Sequence, residues 1–225
     1  MHIEPGIVDG TKIVLSYATA AAACGYAVKL AADTAREQGA ASLALRTAAT
    51  TALVLFFFEI LPHFSVGVSE VHFIFGSTLF LIFGAAPAAL GLTLGLLLQG
   101  MLLVPTDLPQ YGMNVTTLLV PLFAINALAA RVISRESAYV DLRYAQALLI
   151  SSAYQAGIVA WVAFWAIYGR GLGAENLSSI ATFGASYAMV IVVEPLVDLG
   201  VLALAKSLHG ALDGGLVTPR LHNAG

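Results

Sequence analysis

The chain has 225 residues, 59% of them hydrophobic and only 10% charged, with a formal net charge of −3 and a mean hydropathy of +0.88. A water-soluble domain carries about 25% charged residues, so this composition excludes an ordinary soluble fold and places the chain in a bilayer. The slightly acidic balance gives no footing to nucleic acid or to an anionic membrane surface.

The first twelve residues, MHIEPGIVDGTK, carry Glu4, Asp9 and Lys12. They lack the basic opening of a secretory signal. The N-terminus is therefore expected to be retained, although the alanines at 20–23 imitate a cleavage site. Apolar segments follow at 13–30, 43–61, 71–84, 87–104, 114–133, 144–168 and 180–205. Most approach the ~20 residues that span a bilayer. Residues 71–104 hold no charge and read either as one long span or as a hairpin broken at Gly84-Ala85-Ala86-Pro87.

The basic residues decide between these readings, because they gather on the cytoplasmic side of a membrane protein. With seven spans and the N-terminus outside, the inner side collects Lys29, Arg36, Arg46, Arg131, Arg135, Arg143, Lys206 and Arg220, leaving only Lys12 and Arg170 outside. Merging the hairpin into one span gives four inside and six outside. The predicted fold is therefore all-α, a polytopic membrane protein. It is a seven-span helical bundle with the N-terminus outside and folded back into the outer side.

The hairpin is short for two crossings. Its 34 residues supply about 51 Å at ~1.5 Å each, against about 60 Å for a doubly crossed core. The loop 62–70 is thus predicted to dip below the surface beside the N-terminus. Residues 1–205 read as a single transmembrane domain, and 206–225, with paired glycines and a proline, as a mobile cytoplasmic tail.

Within the spans, Ala18, Ala22 and Gly25 lie on related faces of the first helix. Small residues at this spacing allow close helix approach, inside the bundle or against another membrane subunit. Cys24 reads as a packing residue and has no second cysteine for an internal disulfide. Glu194 and Asp198 share one face of the last span. They are expected to be structural, with Pro195 kinking the helix and Arg46 pairing with Asp198 at matching depth.

The chemistry concentrates at the beginning of the chain. A free α-amine at Met1, the amide nitrogen of His2 and the His2 imidazole can close two fused chelate rings on one ion. A fourth nitrogen completes the square plane favoured by Ni(II) and Cu(II). His72, at the outer mouth of the third span, can supply it or can make an interhelical hydrogen bond. His63 is expected nearer to water, and His209 and His222 fall on the opposite side. Glu70 offers a hard oxygen ligand or sits in water, the second reading being preferred.

Three stretches carry a family resemblance: Met1-His2-Ile3 with Gly6, Gly67-Val68-Ser69-Glu70-Val71-His72 with Gly76, and Gly112-Met113-Asn114. Together they resemble the substrate-binding (S) component of cobalt/nickel energy-coupling-factor ABC transporters, the CbiM/NikM family. The resemblance covers most of the chain. It implies metal ligation by Met1, His2 and His72, with Ser69 and Asn114 supporting the N-terminal segment. It also implies Ni(II) or Co(II) as transported substrate with no organic cofactor, and a multi-pass place in the cell inner (plasma) membrane. The implied partners are a transmembrane coupling (T) protein, ATP-binding subunits and a small accessory membrane protein. Glu4-Pro5-Gly6 inverts the family's usual order of proline and acid, which bears on the choice of ion.

No Gly-x-x-x-x-Gly-Lys-Ser/Thr loop is present, so ATP hydrolysis is expected in separate subunits. No His-Glu-x-x-His helix is present either, which argues against a metalloprotease. The chain reads as a transport component rather than an enzyme, with a non-transporting metal sensor or accessory protein as the alternative.

Overall fold

The computed structural model describes residues 2–208 and 215–223. Among them run seven α-helices: α1 (Ile13–Gln38), α2 (Ala40–Ile60), α3 (Gly76–Phe83), α4 (Ala85–Leu102), α5 (Tyr111–Val132), α6 (Tyr144–Arg170) and α7 (Ala174–Ser207). A hairpin of β1 (Phe64–Val66) and β2 (Ser69–Val71) lies between α2 and α3. Six helices are long and apolar enough to cross a membrane, all but α3. Large apolar side chains such as Val14, Leu102, Met189 and Leu196 face outward. Helices that are apolar on their outer faces as well belong in lipid, so the protein is a multi-pass membrane protein.

The predicted break at Gly84 is present, and its φ of 91° explains it. Glycine alone adopts that conformation without a Cβ clash, and the Gly84 amide closes α3 on the carbonyl of Phe80. Gly39, at φ 90°, makes the equally abrupt turn from α1 to α2.

The third predicted span departs from expectation. Only Gly76–Phe83 is helical, a rise of about 12 Å, while Val71 ends a strand and 72–75 is irregular. The backbone here is satisfied from neighbouring helices instead of by its own turn. Glu194 Oε1 of α7 accepts the amides of Ile74 and Phe75 at 2.9 and 3.0 Å. Ser77 and Thr78 donate their hydroxyls to Asp198. Non-helical backbone at membrane depth persists only when protein satisfies it in this way. The two acids of the last span are therefore structural, as expected, and α7 runs unbroken through Pro195.

The expected Arg46–Asp198 pair is not formed. Arg46 donates to the carbonyl of Phe83 at the end of α3, the Gln38 side chain and the carbonyl of Ser42, whereas Asp198 is used by Ser77 and Thr78 at the start of α3. Depth alone was the wrong guide, because the two residues face different neighbours.

Helices α2 and α4 pack most closely where glycine permits. A methyl group at Gly91 or Gly95 would run into Thr50 or Val54, and Thr50 donates its hydroxyl to the carbonyl of Pro87 at 2.8 Å. On α1 the buried small residues are Ser16, Ala20, Ala23 and Ala27. Ala18, Ala22 and Gly25 are exposed, so this predicted face is not used inside the bundle.

The tail was expected to be mobile, yet 215–223 is docked at the end of the bundle remote from the N-terminus. The Thr218 amide donates to Ile82 at 2.8 Å, Leu221 is fully buried, and Arg220 lies 5.1 Å over the Tyr139 ring.

Candidate metal centre

The site begins with the way the first residues are held. Ile3 and Ser69 form an antiparallel bridge, so residues 2–4 add a short edge to β2. The amide of Glu70 donates to the carbonyl of His2 at 3.0 Å, and that of Glu4 to Val68 at 3.2 Å. Ser69 adds its hydroxyl to the same His2 carbonyl at 2.8 Å. The Ile3 amide donates to Asn114 Oδ1 at 2.9 Å, which ties the segment to the first turn of α5. Ile3, Ile7 and Val8 are buried and anchor it by apolar contact.

Gly67, at φ 65°, opens the two-residue turn between β1 and β2. Any Cβ there would collide with the carbonyl of Ser179 in α7. The hairpin is thereby pressed onto the bundle, and β2 delivers Ser69, Glu70 and His72 to the N-terminal segment. The loop predicted to lie deep does so at Val68 and Ser69, both fully buried.

His2 and His72 come together, with exposures of 5% and 2% and ring centroids 5.4 Å apart. Glu70 joins them. Its Oε2 lies 2.9 Å from His2 Nδ1 and 2.7 Å from His72 Nε2. Each of the three offers one ligand atom, and these atoms all lie within 4.8 Å of one another. That is the compass of a single transition-metal ion with nitrogen and oxygen ligands. Glu70 is thus not in bulk water, contrary to the preferred sequence reading. Strand β2 carries it toward the imidazoles.

Burial, foremost, pushes the His72 imidazole down to about 3, against the hydrogen bond to Glu70. The ring is neutral at physiological pH, the form in which imidazole ligates. Its Nδ1 is buried and makes no hydrogen bond among the described residues. Burial works to raise Glu70, but the hydrogen bonds to His2 and His72 outweigh it and hold the carboxyl well below the usual range. The centre is a neutral imidazole beside an ionised carboxylate, suited to a dication.

Met1 lies outside the described residues, as does His209. Ser69 and Asn114 stand where expected, holding the backbone on either side of His2. His63 was given no role, yet its ring stacks on His72 with centroids 4.9 Å apart and an interplanar angle of 6°. His222 belongs to the docked tail.

Sequence reasoning missed Gln99 and its neighbours. Gln99 Oε1 lies 2.9 Å from His2 Nε2, and its Nε2 donates to Glu59 at 2.6 Å. Asp107 Oδ2 is 3.6 Å from the same ring nitrogen. One signal was available: Gln99 is an amide side chain in a stretch, 71–104, that holds no charge. Such a residue inside a membrane helix demands a partner.

A family model described as the cobalt uptake substrate-specific transmembrane region, CbiM, matches residues 2–211. A crystal structure described as a transition metal transporter is similar in fold, with a TM-score of 0.64 and 17% identity over 95% of this chain and 94% of that one. A truncated transition metal transporter gives 0.63 and 16%, over 94% of this chain and 99% of that one. No curated protein matches the chain in sequence.

Proposed function

Because the chain belongs to the CbiM family of cobalt uptake transmembrane regions, we propose that it is the metal-capturing subunit of an energy-coupling-factor ABC transporter importing Co(II) or Ni(II). One observation carries the site: ligand atoms of His2, Glu70 and His72 are gathered within 4.8 Å, because the N-terminal segment is bonded to the strand that bears Glu70 and leads directly into His72. In this reading the ion is held by the Met1 amine, the amide nitrogen and imidazole of His2, and the imidazole of His72. Ser69 and Asn114 fix the path of the backbone so that the two chelate rings can close. Glu70 supplies negative charge next to the incoming dication and stands close enough to take up a proton released as the Met1 amine and the His2 amide nitrogen become ligands.

The distribution of Lys and Arg supports an outward-facing N-terminus in the cell inner membrane, with the tail 206–225 in the cytoplasm. The ion is then captured from outside. A transmembrane coupling protein and ATP-binding subunits supply the energy, and a small accessory membrane protein completes the complex.

Two measurements test the proposal together. Metal analysis with intact-mass determination on the purified protein should find nickel or cobalt and an unblocked Met1. Uptake of labelled metal by cells should require this chain and the coupling subunits at once. Binding without any dependence of uptake on those subunits would reassign the chain as a sensor or accessory protein.

A further inference from the structure

The β1–β2 hairpin pairs Phe64 with Val71 and Ser65 with Glu70. One step beyond the paired residues, the same register sets His63 opposite His72. Facing residues of an antiparallel pair share a side of the sheet, and so do alternate residues along a strand. Glu70, His72 and His63 therefore stand on one side of the hairpin. The result is the stack of His63 on His72, with ring planes 6° and centroids 4.9 Å apart.

The two rings differ in access to water. His72 is buried and His63 is exposed. Of the three gathered ligand groups, Glu70 reaches the surface most, with a side chain 25% exposed against 7% for His2 and 1% for His72. An ion coming from water thus meets His63 and Glu70 before either buried imidazole. The Nδ1 atom of His63 faces the carbonyl of Leu61 at 3.3 Å, which leaves Nε2 to meet the ion. Apolar cover for the site is already given by Phe58, which is buried and packs its ring against both His2 and His72. A ring that served only as cover would need no nitrogen.

We propose that His63 is the entry ligand of the metal site, taking the ion from water and passing it inward to His72. The inference rests on the proposed metal site and deepens it by supplying the step through which the site fills. In that step Nε2 of His63 replaces one water of the hydrated dication, beside the charge of Glu70. His72 and the leading residues then replace His63 and the further waters that the site displaces, and His63 is left free again. Because His63 is absent from the final ligand set, it lowers the barrier in both directions and leaves the depth of the bound state alone. A group met only on the path changes association and release by the same factor.

The test follows nickel and cobalt binding to the purified protein by stopped flow, with a metal-sensitive dye reporting association and excess chelator driving release. His63→Phe keeps a flat ring on His72 and removes the nitrogen. Association and release should both slow by about tenfold, a barrier higher by about 1.4 kcal/mol, while Kd stays within about twofold of the parent's. Rates equal to the parent's overturn the inference. So does weaker affinity that comes through faster release alone, which would make His63 a ligand of the bound state or a support for it. His63→Ala separates entry from shielding: if the ring only covers His72, the alanine variant departs from the parent and the phenylalanine variant does not. Melting temperatures check that both variants fold, as substitution of an exposed residue outside the paired strands should allow. A parent protein that binds neither metal removes the proposed function itself. A parent that binds, with His63→Phe at parental rates, removes only the entry role.

Discussion

The hydroxyl of Ser69 donates to the carbonyl oxygen of His2 at 2.8 Å. The strand that leads to His72 therefore also holds His2 in place, and the two imidazoles are positioned by one hydrogen-bonded unit rather than by separate helices. Asn114 completes the support from α5 through the amide of Ile3.

Removing these supports should weaken binding without touching a ligand. Ser69→Ala deletes one hydrogen bond, worth about 1 kcal/mol, so affinity should fall by about fivefold. Asn114→Ala leaves the buried Ile3 amide without an acceptor, a loss of about 1–3 kcal/mol, and should weaken binding more. Calorimetric titration with nickel and cobalt on folded variants checks both.

Glu70 contacts both imidazoles, and its charge faces the incoming dication. Glu70→Gln keeps the shape and removes the charge. It should weaken binding by about tenfold to a hundredfold while the protein still purifies as a folded species. Unchanged affinity would return Glu70 to the role of a bystander.

The pH dependence of stability follows from His72 and Glu70. The His72 ring is held down to about 3, whereas in the unfolded chain it takes a proton near pH ~6.5. Between those values the unfolded state binds more protons, so stability falls as pH falls. Glu70, held below the usual carboxylate range, acts in the same direction at still lower pH. The melting temperature of the metal-free protein should drop between pH 7 and pH 4, and His72→Phe should flatten the upper part of that curve.

Glu194 accepts two backbone amides only two and three residues beyond His72. Glu194→Ala strands both, at about 1–3 kcal/mol each. It should lower the melting temperature and loosen metal binding together, whereas Glu194→Gln, which retains an acceptor oxygen, should be milder.

Arg46 and Asp198 bond to opposite ends of α3, at the Phe83 carbonyl and the Ser77 hydroxyl. Their substitutions, Arg46→Met and Asp198→Asn, should therefore combine additively, within about 0.5 kcal/mol. A coupling well above that in a double-mutant cycle would restore the ion pair that the structure lacks.

Much of the fold was legible because bilayer physics is written into hydropathy. Six predicted spans match α1, α2, α4, α5, α6 and α7, although α1 runs on to Gln38, past the predicted end at residue 30. The third did not, because its helix begins only after Glu194, more than a hundred residues later, has accepted the backbone amides of Ile74 and Phe75. Periodicity cannot report a contact of that range. At the site, His2, His72, Ser69 and Asn114 were visible through family motifs. Glu70 was visible but misjudged, since exposure of a loop residue depends on whether it folds into a strand. Gln99 was overlooked because its meaning comes from Glu59 and His2, both distant in sequence. The small face of α1 shows the same limit: its spacing was evident, but which side the bundle would take was not.

The central claim is that one ion bridges the leading residues and His72. It is tested most directly by acetylating the leading amine selectively and titrating the purified, folded protein with nickel and cobalt. Every side chain survives, yet the fused rings cannot close on the same atoms. The account predicts that binding falls to background. Affinity equal to that of the parent protein would contradict it.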